Sequence, residues 1–343
     1  MTSKERIDAV LNHQKPDRTP FALVDGGAWI AMHENMSYRT LYGLEDGGAS
    51  KIVEYTDAIE TDLVSAVSGV FTACLNAFGC SINIDKIGSP VDTGAAIKDP
   101  ATEIPLLDKS VIREKLLANE FVRNMLKQCR NVKALVGDRK YLIGDIAGPF
   151  TMASVLVGIE DFIFLTIEEP ELCEQLMDFT TALSAEMFRL LHENGCDIAL
   201  PAEPVASGSM ISSAMFEEMV VPALKNLKEM LPEYKYFFTH VCGASVSRVS
   251  GLVEAGAAVF SGDYLVDLDT ALTDADGKLC MMGNMNPAGV VLSGTPDEVY
   301  AEACERIKTA AGRGFILAPG CDLGANAPIE NVKMLVKACK DMG

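Results

Sequence analysis

Three side chains in this 343-residue chain have the types and spacing to hold a metal ion. His240 and Cys242, one residue apart, close the apolar run Phe237-Phe238-Thr239. In an extended chain, residues two apart face the same way, so both can converge on one point. Imidazole nitrogen and thiolate sulfur are both zinc ligands. Cys321 ends a second apolar run, Ile316 to Gly320, and lies 79 residues on (321 − 242 = 79). The pairing is therefore sensible only in a fold that delivers several strand ends to one rim. Without such a fold, the same residues read as a capped loop histidine and small core cysteines. For the fourth position, Asp263 in Phe260-Ser-Gly-Asp263-Tyr264 comes first and Glu203 second. Water or substrate is the third choice, because a catalytic zinc keeps an exchangeable place. Either carboxylate could equally be a plain hydrogen-bonding group at the rim.

The elements that must position these residues are short apolar runs alternating with helical patterns. Thr2 and Glu5 have capping-box spacing, with Ile7, Val10 and Leu11 at helical intervals behind them. Eight strand candidates follow, at residues 19–25, 62–67, 141–145, 197–200, 235–239, 257–260, 279–282 and 314–317. Most are continuously apolar, as parallel strands buried on both faces are. Helical patterns at 170–194, 217–230 and 298–311 lie between them. Eight βα units predict an α/β fold, a (β/α)8 TIM barrel, whose rim is where the fifth and eighth strands can share a site. The chain reads as one domain over residues 1–343, with an N-terminal helix and a small excursion at about 78–110. A doubly wound open sheet is the alternative, but its usual Gly-rich dinucleotide fingerprint is missing.

Composition narrows the function. Hydrophobic residues make up 49% and charged residues 22% of the chain, the range of a packed soluble enzyme. A net charge of −19 argues against nucleic acid and against anionic membranes as partners. With no secretory signal and no membrane-length apolar run, the expected location is cytoplasmic. Ten cysteines in such a protein are not a disulfide framework. Cys74, Cys80, Cys129, Cys173, Cys196, Cys280, Cys304 and Cys339 show no ligand spacing and are expected to be small core residues.

Motifs along the whole chain resemble the uroporphyrinogen decarboxylase superfamily. They include Glu5-Arg6, Pro16-Asp-Arg-Thr-Pro20, Gly148-Pro-Phe-Thr151, Glu203-Pro-Val-Ala-Ser-Gly208, Gly283-Asn-Met-Asn-Pro287 and Ala318-Pro-Gly-Cys321. The chain is similar in particular to the branch of methylcobamide:coenzyme M and related corrinoid-dependent methyltransferases, through His240-Val-Cys242-Gly243 together with Pro319-Gly320-Cys321. Two departures stand out. The arginine-rich stretch that binds tetrapyrrole carboxylates in true decarboxylases is replaced by residues 25–33, with no arginine until Arg39. Glu203 stands where the methyltransferases often have aspartate. The site is also similar to that of cobalamin-independent methionine synthase, where Asp263, 21 positions after Cys242, falls near the place of a ligating carboxylate.

The resemblance implies a zinc-dependent methyltransferase of one-carbon metabolism. It would move a methyl group between a corrinoid (cobalamin) on a partner protein and a thiol or similar small acceptor, with Tyr264 and Asn284 lining the cofactor pocket. One neutral histidine and two thiolates leave zinc with a net charge of zero (+2 − 2), so a substrate sulfur there stays electron-rich. The alternatives are a first-step enzyme taking methyl from a methoxy or methylamine donor, a uroporphyrinogen decarboxylase, and a non-catalytic corrinoid-protein docking module with structural zinc. A homodimer is compatible with all of them.

Overall fold

A computed structural model describes residues 1–43, 47–67, 72–83 and 91–343. The chain opens on the helix Ser3–Leu11, whose Thr2 and Glu5 form the expected capping box. Seven parallel strands then build one curled sheet. In order across the sheet they are β1 (Leu63–Ser65), β4 (Tyr141–Ala147), β5 (Ile198–Ala202), β6 (Tyr236–Val241), β7 (Val259–Gly262), β8 (Cys280–Met285) and β9 (Phe315–Pro319). Between β1 and β4 lies a separate antiparallel pair, β2 (Ser81–Asn83) and β3 (Val91–Gly94). Residues 84–90, inside the stretch read as an excursion, lie outside the described residues. Among the described residues, no single helix is long and apolar enough to cross a membrane.

The first expected strand, 19–25, is corrected to one bridge residue, Phe21, beside Leu317. The segment nonetheless closes the barrel. Leu317 N–H donates to Pro20 O and Ala22 N–H donates to Leu317 O, while Asp62 N–H donates to Phe21 O on the other side. Two features keep the strand short. Pro20 has no N–H to give, and the Phe21 N–H is taken by the Asp62 side chain at 2.9 Å. With that closure the fold is the expected (β/α)8 barrel. The other seven expected strands match the sequence reading to within a few residues, with one consequential shift. His240 is part of β6, not just past it.

Two apolar clusters follow from the period-two alternation of the strands. Leu63, Ile143, Ile198, Leu200, Phe238, Val259, Met282 and Ile316 fill the barrel interior. The opposite faces, including Leu142, Ala199, Phe237, Phe260 and Leu317, pack against the surrounding helices. The next inward position after the apolar filling is polar on five strands: Ser65, Asp145, His240, Ser261 and Asn284. The barrel is thus a greasy plug with a polar lid layer at the C-terminal ends of its strands.

Asp62 clamps the base of this assembly. Its buried carboxylate accepts from Arg6 Nη1 at 2.6 Å, Arg18 Nη1 at 2.9 Å, Ser3 Oγ at 2.9 Å and the Phe21 amide. Removing it leaves Arg6, itself only 7% exposed, with the half-exposed Asp17 as its remaining partner, and takes the acceptor from Arg18 and from the buried Phe21 amide. Asp62→Ala is therefore expected to cost about 3–5 kcal/mol, read as a lower urea midpoint. An unchanged midpoint would show that the clamp is not what holds the first segment in the barrel.

Candidate metal centre

His240 sits on β6 between two register partners, Ala202 on β5 and Ser261 on β7. That pairing orients the ring. Nδ1 lies 3.0 Å from Ser261 Oγ, which leaves Nε2 pointing into the mouth, 3.0 Å from Cys242 Sγ. The second nitrogen of a metal-binding histidine commonly has such a partner, which fixes its tautomer and direction. Gly243 follows with φ +69, a conformation that turns the chain sharply behind Cys242. Cys321 arrives from β9 by a different device. A Cβ on Gly320 would stand 2.5 Å from Tyr264 N, so only glycine lets the β9 loop lie directly on the loop after β7. The result is a Cys242–Cys321 Sγ···Sγ distance of 3.6 Å.

The donor atoms of His240, Cys242 and Cys321 all lie within 4.8 Å of one another. Among the described residues, no other group of three or more His, Cys, Asp or Glu side chains is close enough to hold a metal ion. Exposure separates the two cysteines of this cluster from the rest. The eight cysteines expected to be core residues are all buried, whereas Cys242 and Cys321 are partly exposed. Two thiols this close in a protein interior share a single negative charge when no cation is present. The hydrogen bond from Cys242, aided by His240, holds Cys321 well below the ordinary thiol range, to about 4. The same hydrogen bond, with burial, pushes Cys242 far up. Burial pulls the His240 imidazole down, but its hydrogen bond to Cys321 and that residue's charge outweigh it and raise the value.

The other expected residues are not part of this group of three. Glu203 is fully buried and turned toward the helix Pro149–Val157, accepting from Phe150 N–H at 3.0 Å and Thr151 N–H at 2.7 Å. It caps that helix, where a negative end is favourable. Asp263 accepts from Leu265 N–H at 2.9 Å and so shapes the loop after β7. Its charge still reaches both His240 and Cys242. Tyr264 is on the rim and 40% exposed. Asn284 is buried and donates Nδ2–H to Val266 O at 2.6 Å, tying β8 to that same loop.

Three carboxylates at the mouth escaped the sequence reading: Asp25, Asp145 and Asp322. Asp145 is 4% exposed and Asp25 5% exposed. Burial, then the neighbouring Asp25, pushes the Asp145 carboxyl well above the usual carboxylate range. Burial and the charges of Asp25 and Cys321 do the same to Asp322. A signal for them existed. Each stands at the end of an apolar run, the rule that found the histidine and cysteines, and Asp322 directly follows Cys321. Ser261 was also missed, because its role depends on the β6–β7 register.

Comparison with known proteins places this geometry in a family. The uroporphyrinogen decarboxylase (URO-D) family model matches residues 2–342. A methylcobamide:CoM methyltransferase, MtaA, from Methanosarcina barkeri is 26% identical, over 98% of this chain and 97% of that one. A second such enzyme, MtbA, from Methanosarcina mazei is 26% identical over 99% and 98%. A solved methyltransferase structure from Methanosarcina mazei superposes with a TM-score of 0.89 and 23% identity, covering 99% of both chains. The chain belongs to the URO-D family.

The Glu203 cap has a measurable signature. Burial lifts its carboxyl from an ordinary 4.5 to about 7, against the pull of the Thr151 and Phe150 amides. A raised carboxyl favours the protonated folded form, so this contribution is complete below about pH 4.5 and is lost as pH rises through 7. Relative to Glu203→Gln, wild-type stability is expected to fall by about 2–3 kcal/mol between pH 5 and pH 8. Parallel pH profiles for the two proteins would exclude this role.

Proposed function

We propose that this chain is a zinc-dependent methyltransferase that moves a methyl group between a corrinoid carried by a partner protein and a small thiol. The observation that carries the proposal is the His240–Cys242–Cys321 cluster at the barrel mouth, with donor atoms within 4.8 Å. Its dimensions fit the metal. Tetrahedral zinc with bonds of about 2.3 Å to sulfur sets two sulfurs about 3.8 Å apart, against 3.6 Å here. The same geometry needs about 3.5 Å from nitrogen to sulfur, so the 3.0 Å His240–Cys242 contact opens by about half an ångström. The methylcobamide:CoM methyltransferases that match over nearly the whole chain supply the reaction class.

Zinc held there supplies a cation that stabilises a substrate thiol in its deprotonated form while the two cysteine thiolates keep the sulfur electron-rich. The chain's own residues do the positioning. Ser261 holds the His240 ring so that Nε2 faces the mouth. The glycine contact between the β9 and β7 loops brings Cys321 against Cys242. The plug of Phe238, Val259, Met282 and Ile316 keeps water from below. In the transfer, the methyl carbon exchanges its bond to cobalt for one to sulfur. The bonding pair stays with the corrinoid, and the thiol proton has already gone to solvent. Glu203 serves in this scheme as the helix cap that steadies the β5 end of the mouth. Asp263 holds the loop against which Cys321 is set, and Tyr264, exposed on the rim, is the residue this reading sets against the corrinoid.

The protein as isolated is expected to carry about one zinc per chain, falling below about one fifth in Cys242→Ser and in Cys321→Ser. Full zinc content in both variants would remove the site. With methylcobalamin and a thiol, the zinc-loaded protein is expected to form the thioether and release Co(I), seen by its absorbance. Methylation of Co(I) corrinoid by a methoxy compound or a methylamine, with no thioether formed, would reverse the assigned direction. Turnover of uroporphyrinogen would overturn the assignment.

A further inference from the structure

The barrel mouth holds more hydrogen-bonding capacity than the protein uses. Among the described residues, four buried side-chain oxygens there have no partner: Ser65 Oγ, Asp145 Oδ1, Asn284 Oδ1 and Asp322 Oδ1. Alternation along β1, β4 and β8 turns Ser65, Asp145 and Asn284 inward, into the polar layer that also contains His240. Three of the four oxygens can only accept when the carboxyls are ionised. An unmet buried acceptor costs free energy, so four in one place suit a ligand that donates hydrogen bonds.

The arrangement also says what kind of donor fits. Asp25, Asp145 and Asp322 lie close enough to act on one another's carboxyls, yet they form no metal-holding group of their own. The unmet acceptors suit an organic donor. The charge balance points the same way. The groups acting on Asp145 are Asp25, His240 and Cys321, with no lysine or arginine among them. Zinc with two thiolates is neutral, and a bound substrate thiolate brings the centre to −1. An anionic head would find no lysine or arginine among these groups and would add to the negative charge of the centre. A cationic head offsets that charge.

We propose that the small substrate of this site carries an organic ammonium group, seated against Asp145 with Asp25 and Asp322 beside it, a few bonds from the sulfur that meets the metal. The sulfur end of this assignment rests on the methyl-transfer reading above. The ammonium end rests on the unpartnered oxygens.

Isothermal titration of the zinc-loaded full chain tests both ends separately. The probes are 2-aminoethanethiol, 2-mercaptoethanol, 2-mercaptoethanesulfonate and, with no sulfur, propylammonium. The aminothiol is expected to bind at least about tenfold more tightly than the neutral thiol, with the sulfonate weakest of the three. Propylammonium is expected to bind weakly but measurably and to compete with the aminothiol. In Asp145→Asn, which removes a buried charge at nearly constant volume, the aminothiol-to-neutral ratio is expected to fall below about threefold. Equal binding of the three thiols, a preference for the sulfonate, or a ratio unchanged in Asp145→Asn would overturn the ammonium assignment. Thiols that bind without charge preference would leave the methyl-transfer reading standing. Propylammonium binding with no thiol bound would instead keep the ammonium site and remove the thiol. If Asp145→Asn does not fold, the wild-type order of the probes decides.

Discussion

Closure of the parallel sheet is the constraint on which the rest of this protein depends. β6 and β9 are not neighbours in the sheet, since β7 and β8 lie between them. Only curvature brings Cys242 and Cys321 to 3.6 Å. That curvature is held at the seam by the segment Pro20–Ala22, which hydrogen-bonds to Leu317 on one side and to Asp62 on the other. Asp62 does double duty there, joining the sheet through its backbone and gathering Arg6, Arg18 and the Phe21 amide with its carboxylate. A charge cluster at the base of the barrel thereby helps determine the geometry of donor atoms at its mouth.

Above the apolar plug, the mouth concentrates negative charge in a way that a structural core would not. Two close cysteine thiols, the carboxyls of Asp145 and Asp322, whose burial disfavours charge, and Asp25 gather around one imidazole. Such an arrangement is stable only if its groups stay protonated or are met by cations. The metal ion proposed between His240 and the two thiolates, and the ammonium proposed over the carboxylates, would neutralise separate parts of it. This is the sense in which the site is organised for ligands.

The URO-D framework accommodates this chemistry because the family fold leaves the rim positions free to vary. In this chain the region after the first segment, Asp25 to His33, forms a short helix, Gly27–His33, with Trp29 buried and donating Nε1–H to Ala327 O. Where arginines would meet a polyanionic substrate, this chain instead packs an aromatic ring and places Asp25 at the mouth. The change of sign at that edge agrees with a substrate other than a tetrapyrrole carboxylate.

Much of the fold was legible in the sequence. Thr2 and Glu5 marked the first helix, and seven apolar runs marked seven strands, because capping and burial on both faces of a parallel sheet are written in local residue type. The cluster of His240, Cys242 and Cys321 was legible for the same reason: all three stand at strand ends. Other features could not be read locally. That 19–25 forms a bridge rather than a strand depends on the distant Asp62 side chain. That Glu203 turns away from the metal cluster depends on the amides of Phe150 and Thr151, some fifty residues earlier. Ser261, Asp145 and Asp322 acquire roles only through register and curvature. By itself the sequence determined which chemistry was available and at which strand ends it would appear. Only the tertiary structure decided which of those groups converge, because convergence is set by the closed barrel and by packing between segments far apart in the chain.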